Sequence, residues 1–182
     1  MHTRTPPTDE EAGTAAEDLP APLPAAGRPI VVIPCSATKK PVAADEKTPA
    51  EELYQSLYFT KCLTAARAIP GGRVLILSGR YGLIAPRTPI ATYEKRLDPR
   101  NVDHAKHRAQ VAAMGGAVRH APEVIALAGK DYADAVAALW PHTVRPLAGA
   151  GIGVQLQRLT RIAEAADPRA AALAFAAAAA TR

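Results

Sequence analysis

The sequence predicts an α/β fold, a single three-layer domain whose mostly parallel sheet has about four to five strands. Short apolar runs rich in β-branched residues alternate with helical segments over about residues 28–167. These runs lack the alternating polar residues of a half-exposed strand, which is typical of strands buried on both faces. Strands that alternate with helices are joined by crossovers, which makes neighbouring strands parallel. A chain of 182 residues with 48% hydrophobic residues is long enough for one core of this kind.

The elements follow one another along the chain. Three buried strands are predicted from RPIVVIP, GGRVLILS and PEVIALAG, and a short fourth strand from HTVRPL. Pro34 lacks the amide that would continue a ladder, so the first strand is expected to end there. Helices are predicted from PAEELYQSLYFTKCLTAARAI, from residues near 102–118, from DYADAVAALW and from IGVQLQRLTRIAEAA. A long polar segment, residues 79–101, lies between the second strand and the second helix.

The two ends of the chain differ from the domain between them. Residues 1–28 are rich in Pro, Ala and acids without an apolar period, which predicts a disordered tail. Residues 168–182 form an Ala-rich C-terminal extension, either a frayed continuation of the last helix or a second tail. The α/β domain is therefore predicted to occupy residues 29–167.

Charge and cysteine content narrow the class of protein. The net charge is +5, but residues 1–28 carry −3, so the remaining 154 residues carry +8. This balance fits nucleic acid, a nucleotide or another anionic partner, although many basic domains bind none of these. Two cysteines without a CxxC pair, and the lack of a signal peptide or a long apolar run, predict a cytoplasmic protein away from membranes. No cofactor or metal site is predicted, and the oligomeric state stays open.

The candidate site is expected beyond the carboxyl ends of the parallel strands, where loops and helix N-termini converge. The segments at these ends are PCSATKK, SGRYGLIAP, GKDY and AGAGIG. In the first of them, Ser36, Thr38 and Lys39 suit a cradle for an anion or a nucleobase. Cys35 is either a small residue that closes the core or a thiol that contacts or attacks a ligand. A catalytic thiol needs a base, and the candidates are His104 and His107.

The second segment places Arg80 and Tyr81 between Gly79 and Gly82, which predicts a tight turn with positive φ. Tyr81 would stack on a flat ligand, and Arg80 would pair with phosphate or a guanine edge; the alternative is an ordinary glycine-rich turn with a half-buried tyrosine. The remaining predicted site residues are Ser78, Tyr93, Gly129, Asp131, Tyr132, Gly149, Gly153 and Gln155.

Two further features bear on the ligand. The stretch from Arg73 to Arg108 holds eight Lys or Arg against three acids, which fits a groove for a nucleic-acid backbone or a loop that folds over the site. Glycines at 149, 151 and 153 precede the last helix, where exposed amides and the helix dipole would hold a phosphate or carboxylate. Asp131, directly after the third strand, is the best-placed acid.

Five ordered blocks carry a family resemblance. PCSATKK, ELYQSLYF, LILSGRYGLIAP, LAGKDYADAV and PLAGAGIGVQLQRL resemble a family of bacterial and phage domains of unknown function over about residues 30–160. The first block is more distantly similar to the PCxxxKPY motif of archaeosine synthase, which modifies a 7-deazaguanine base in transfer RNA, and Lys39 matches the motif lysine. The chain is also loosely similar to YaaA-like DNA-binding proteins. These resemblances imply a nucleobase or nucleic-acid context.

Three hypotheses follow. The first is an enzyme that modifies a purine-like base or acts on an N-glycosidic bond, with Cys35, Lys39 and Asp131 as catalytic candidates. The second is a non-catalytic module, in phage defence or DNA modification, that binds nucleic acid through residues 73–108. The third is a cysteine redox sensor at Cys35.

Overall fold

A computed structural model describes residues 27–181. The strands are β1 (Ile30–Pro34), β2 (Thr48–Pro49), β3 (Arg73–Ser78), β4 (Gly82–Ile84), β5 (Pro89–Ile90) and β6 (Val124–Ala126). The helices are α1 (Ala50–Leu53), α2 (Leu57–Ala68), α3 (His104–Ala113), α4 (Gly116–Arg119), α5 (Lys130–Ala137), α6 (Ile152–Glu164) and α7 (Pro168–Ala180). The predicted α/β fold class is confirmed.

The main sheet has four strands in the order β4-β3-β1-β6. Strand β1 is parallel to both of its neighbours, and Val32 pairs with Leu75 of β3 and with Ala126 of β6. Strand β4 turns back against β3 as an antiparallel edge strand. The mostly parallel sheet is therefore as predicted, and its carboxyl edge is formed by the ends of β1, β3 and β6.

Each face of the sheet is covered by helices. Ile33 and Ile76 point into a core shared with Cys62 of α2 and with Leu159 of α6. The alternate side chains Val32, Leu75 and Ala126 point the other way, into a core with Val136 of α5 and Trp140. Because side chains alternate along a strand, uninterrupted apolar runs produce two cores and three layers.

The predicted first helix, residues 49–69, is wrong as one element, since it breaks between α1 and α2. The loop after β1 inserts there: the Gln55 amide donates to the Thr38 carbonyl oxygen at 2.8 Å, and Lys39 forms an isolated bridge with Tyr54. Ser56 then begins α2, because its hydroxyl accepts from the Phe59 amide at 3.1 Å. This break brings the PCSATKK loop against Tyr54.

The first strand ends at Pro34, as predicted, although the Cys35 amide still donates to the Leu77 carbonyl oxygen at 3.1 Å. Other boundaries differ from the prediction. The polar segment contains β4 and β5, and the helix predicted near 102–118 divides into α3 and α4 at Gly115, whose φ is 92°. The predicted fourth strand is reduced to one parallel bridge between Ile125 and Val144.

The chain ends in a helix of its own. Asp167 caps α7 by accepting from the Ala170 amide at 2.9 Å, and Pro168 occupies its first turn, so α7 is a helix separate from α6, against which it packs. The tail predicted over residues 1–28 lies, except for residues 27 and 28, outside the described residues. No helix in the described part of the chain is long and apolar enough to cross a bilayer.

Candidate ligand-binding site

A cavity of about 450 Å³ lies beyond the carboxyl end of β1. We call it the first cavity. Its lining residues are Cys35, Ser36, Ala37, Lys39, Glu94, Lys95, Arg96 and Tyr132. The structure therefore brings together four of the predicted site residues, from the loop after β1 and from the first turn of α5.

Lys39 is the buried cation of the first cavity. Its side chain is only 7% exposed, and its Nζ lies 4.5 Å from the centroid of the Tyr93 ring. The ammonium donates to the Ala37 carbonyl oxygen at 3.3 Å, and its nearest carboxylate oxygen, Glu94 Oε1, lies 3.9 Å away on a side chain that is 93% exposed. A cation held over a ring and opposed only by a solvated carboxylate is suited to an anionic or electron-rich ligand.

Cys35 lies beside the hydroxyl group of Tyr132. Its Sγ lies 3.3 Å from Tyr132 Oη. Burial is the main cause that raises the pKa of Tyr132, and the nearby Cys35 raises it further. The Tyr132 hydroxyl therefore stays protonated at neutral pH and can donate to the sulfur or to a ligand. Cys62, the other cysteine, lies in the core, and burial raises the pKa of its thiol. Because Cys62 belongs to the core, a redox sensor at Cys35 would have no exposed resolving thiol in this chain.

A buried cluster of Tyr54, Ser78 and Tyr93, the Ser78 cluster, lies behind Lys39. Tyr93 Oη lies 2.7 Å from both Tyr54 Oη and Ser78 Oγ, and Tyr54 Oη donates to Ser78 Oγ at 3.3 Å. Burial raises the pKa of Tyr54 to about 12, and it also raises the pKa of Tyr93. The phenols are therefore neutral hydrogen-bonding groups that fix the Tyr93 ring under Lys39.

Residues 91–98, which have no regular secondary structure, form a strap that carries Tyr93 and the outer wall of the first cavity. The strap lies directly on Gly79: a Cβ built there would be 2.5 Å from the Arg96 carbonyl carbon and 2.6 Å from the Leu97 nitrogen. Gly79 does not have the positive φ that the sequence predicts; Gly82 does, with φ of 72°. Gly79 is instead needed because a side chain would collide with backbone.

Tyr81 supports the strap. Its ring meets Tyr93 edge-on at 5.3 Å between centroids, and its hydroxyl donates to the Ala91 carbonyl at 3.1 Å. Tyr81 is not among the residues that line the first cavity, so the predicted stacking on a flat ligand stays a prediction. Its backbone amide donates to Ser78 Oγ at 3.1 Å, which joins the turn to the Ser78 cluster.

A second cavity, of about 380 Å³, adjoins the first at the strap. It shares residues 94–96 with the first cavity, and Arg80, Gly82, Lys106 and His107 contribute to its other walls. The guanidinium carbon of Arg80 lies 5.6 Å from the Tyr81 ring centroid. The two cavities thus share a wall formed by residues 94–96.

Several predicted site residues lie in neither cavity. Asp131 is exposed in the first turn of α5, and Thr38 is exposed. Gln155 Oε1 accepts from Tyr58 Oη at 2.6 Å, and its Nε2 donates to the Ala150 carbonyl at 2.7 Å, so both ends of this amide are already paired. The other predicted residues that line neither cavity are Gly129, Gly149 and Gly153, together with Ser78, Tyr81 and Tyr93, which support the first cavity from behind.

Neither His104 nor His107, the two candidate bases, lines the first cavity with Cys35. His107 lines the second cavity instead. Burial, with the charge of Lys106, lowers the pKa of His107. Within residues 27–181 no three His, Cys, Asp or Glu side chains are grouped so that they could hold a metal ion.

Residues missed at the sequence level are Glu94, Lys95 and Arg96 of the strap and Tyr54 of the Ser78 cluster. The basic stretch 73–108 indicated a loop over the site but not which of its residues would face a cavity. Tyr54 has the spacing of a helical core residue, and only the break between α1 and α2 turns it toward Ser78.

Fold and site together define a small α/β domain with a cavity at the carboxyl edge of its sheet. Residues 30–161 match the family described as Family of unknown function (DUF6884), and the chain belongs to that family. This confirms the expected domain family of unknown function, whereas the likeness to archaeosine synthase and to YaaA-like proteins stays a prediction. No curated protein and no solved structure matches the chain.

Proposed function

We propose that the first cavity binds a nucleobase or nucleoside and that the protein acts on it, by modifying the base or by chemistry at its N-glycosidic bond. The observation that carries this proposal is the buried Lys39, held over the Tyr93 ring at the wall of a cavity beyond the carboxyl end of β1. Cavities at this edge of a parallel sheet are the usual ligand sites of such folds.

The size and the polar groups of the first cavity suit a base. Its volume of about 450 Å³ lies within the range of small-molecule sites. The ammonium of Lys39 and the hydroxyl of Tyr132 can donate to ring nitrogens or carbonyl oxygens, and the Glu94 carboxylate can accept from an amino group or ring N–H. A planar ligand with acceptors on one edge and donors on another would satisfy these groups.

The residues also define the available chemistry. Glu94 is the carboxylate that lines the first cavity among the described residues, so it takes the acid role that the sequence assigned to Asp131. In glycosidic cleavage, Glu94 would take a proton from the water that attacks C1′, and Lys39 would give a proton to the base nitrogen as the C1′–N bond breaks. In base modification, the Cys35 thiol or the Lys39 amine would add across a C=N bond of the base, with its proton passing to the ring nitrogen.

The test is a thermal-shift screen of nucleobases, nucleosides and deazapurines with three proteins: wild type, Lys39→Met and Lys40→Met. Lys40 is the matched control, because it is the adjacent lysine and is exposed. We expect a stabilising shift in wild type and in Lys40→Met, and its loss in Lys39→Met, because removal of one charge-assisted contact weakens binding about tenfold or more. If no compound stabilises wild type, or if both variants respond alike, the proposal fails.

A second candidate, a non-catalytic nucleic-acid-binding module, is favoured by one observation. Five cations are exposed on the strap, on the turn that follows it and on α3: Lys95, Arg96, Arg100, Lys106 and Arg108. A module that binds through such charges loses affinity steeply as salt rises, since each phosphate contact releases counterions. A binding constant for a single-stranded oligonucleotide that is flat between 50 and 200 mM salt, about the range over which that loss is large, would exclude this candidate.

A further inference from the structure

We propose that the second cavity binds the phosphate of the same ligand whose base occupies the first cavity, so that the substrate is a nucleotide or a polynucleotide strand and not a free base. This inference rests on the proposed function. It adds a phosphate subsite built from Arg80, Lys106 and the beginning of α3.

Four cations and three acids line the second cavity. Arg80, Lys95, Arg96 and Lys106 all line it, and within residues 27–181 none of the four has a carboxylate oxygen within 4.0 Å. The acids are Glu94, Asp98 and Asp103; Asp98 Oδ1 accepts from the Arg100 amide at 3.0 Å, and Glu94 Oε1 lies 3.9 Å from Lys39 Nζ. Because no carboxylate pairs with them, the four cations can contact an anion.

Helix α3, ten residues long, begins at the second cavity. Asp103 caps it by accepting from the Lys106 amide at 2.9 Å, and the positive end of the helix dipole faces the same space. His107 is only 4% exposed and lines the cavity, and its Nδ1 has no hydrogen-bond partner among the described residues. A buried polar group without a partner is costly unless a ligand or water satisfies it.

A hydrogen bond to the protein backbone fixes the position of the Lys106 ammonium. Its Nζ donates to the Arg80 carbonyl oxygen at 2.7 Å, which holds the ammonium beside the turn that carries the Arg80 guanidinium and leaves two of its protons for another acceptor. An arginine, a lysine and a helix N-terminus around one cavity are the groups that proteins use for phosphate.

The arrangement of the two cavities points to one ligand that occupies both. Glu94, Lys95 and Arg96 line both cavities, so the two cavities adjoin at the strap. A sugar would join a base in the first cavity to a phosphate in the second across these residues. The side chains of Lys95 and Arg96 are exposed there.

The test measures the dissociation constants of a nucleoside, its 5′-monophosphate and a single-stranded DNA decamer containing it, for the base that responds in the thermal-shift screen. The variants are Arg80→Gln and Lys106→Gln. Arg108→Gln is the matched control, because Arg108 is an exposed cation on α3 that does not line the second cavity. Lys106→Gln keeps an amide that can still donate to the Arg80 carbonyl.

We expect the monophosphate or the decamer to bind wild type at least about tenfold more tightly than the nucleoside, as a charge-assisted phosphate contact provides. This advantage should disappear in Lys106→Gln and Arg80→Gln and persist in Arg108→Gln, while the affinity for the nucleoside stays unchanged in all three. A gain confined to the decamer identifies a strand as the substrate, and a gain already present in the monophosphate identifies a nucleotide.

Inorganic pyrophosphate is the probe that separates this inference from the proposed function, because it needs no base. A thermal shift by pyrophosphate that Lys106→Gln removes and Lys39→Met preserves supports the second cavity even if every nucleobase and nucleoside fails to bind. Equal affinities for nucleoside, monophosphate and decamer overturn the inference while leaving the proposed function intact. Equal losses in Lys106→Gln and Arg108→Gln also overturn it.

Discussion

The two cavities share a wall but are built differently. Around the first cavity, Lys39 is buried over Tyr93, and the Ser78 cluster behind it is closed by hydrogen bonds. The second cavity is lined by exposed cations and the beginning of a helix. Buried, pre-oriented groups favour recognition and chemistry, whereas exposed charges mainly provide attraction that salt weakens. This difference is why we propose that the first cavity recognises a base and the second a phosphate.

The largest expected effect comes from a substitution that displaces the strap from Gly79. Gly79→Ala places a Cβ 2.5–2.6 Å from the backbone of residues 95–97, where no side chain can move aside. We expect a loss of about 3 kcal/mol in the free energy of unfolding, since backbone must shift, together with loss of ligand responses in both cavities. Urea denaturation and the thermal-shift panel measure these effects.

Gly153→Ala is the control for that substitution. Gly153 lies in α6 with nothing within 4 Å of a built Cβ, so alanine should raise stability by up to about 1 kcal/mol through its helix propensity. Similar stabilities of the Gly79→Ala and wild-type proteins would show that the strap does not rest on Gly79.

The next largest effect is expected when the hydrogen bonds of the Ser78 cluster are removed. Ser78→Ala removes the oxygen that Tyr54 and Tyr93 contact and that accepts from the Tyr81 amide. We expect a loss of about 2 kcal/mol in the free energy of unfolding, because buried polar groups lose their partner. Thr64→Ala, at an exposed position of α2, should change stability far less; equal losses in the two variants would contradict the role of Ser78.

More of the fold than of the site can be predicted from the sequence. Uninterrupted apolar runs such as IVVIP indicate strands buried on both faces, and their alternation with helices indicates parallel order, because both follow from local pattern. The break at Tyr54 was missed because helical spacing continues through it. It is caused by the PCSATKK loop, which is distant in sequence and hydrogen-bonds to Gln55.

Site residues could be predicted where they directly follow a strand, as with Cys35, Ser36 and Lys39 after β1. They could not be predicted on the strap, since a segment without secondary structure has no period that tells which side chain faces inward. Gly79 illustrates the limit. Its position in a glycine-rich turn predicts a positive φ, whereas in the structure glycine is required there by the close approach of the backbone of residues 95–97.

Alkaline pH tests whether the phenols are buried as neutral groups. The pKa of Tyr54 is raised from 10.0 to about 12 in the folded protein, so the fold favours the protonated form. Its contribution is fully present below pH 10 and is lost as pH rises from 10 to about 12. Urea denaturation across this window should show falling stability in wild type and a smaller fall in Tyr54→Phe; equal falls would contradict the assignment.

The smallest expected effect concerns His107 in the second cavity. Burial lowers its pKa below 6.5, so its contribution to stability is present above that value and is lost as pH falls through the folded pKa. Unfolding free energies measured from pH 7.5 to 5.5, on either side of about 6.5, should decline less in His107→Gln than in wild type. Parallel declines in both proteins would show that His107 is not a buried neutral group.

Cysteine labelling tests the central claim, that the ligand binds in the first cavity, most directly. Cys35 lines that cavity, whereas Cys62 is fully buried in the core and serves as the internal control. With the compound that gives the largest thermal shift present at saturation, the rate at which iodoacetamide labels Cys35 should fall about tenfold or more, as expected when a ligand covers a site at ten times its dissociation constant. A stabilising compound that leaves the labelling rate of Cys35 unchanged would show that it binds elsewhere.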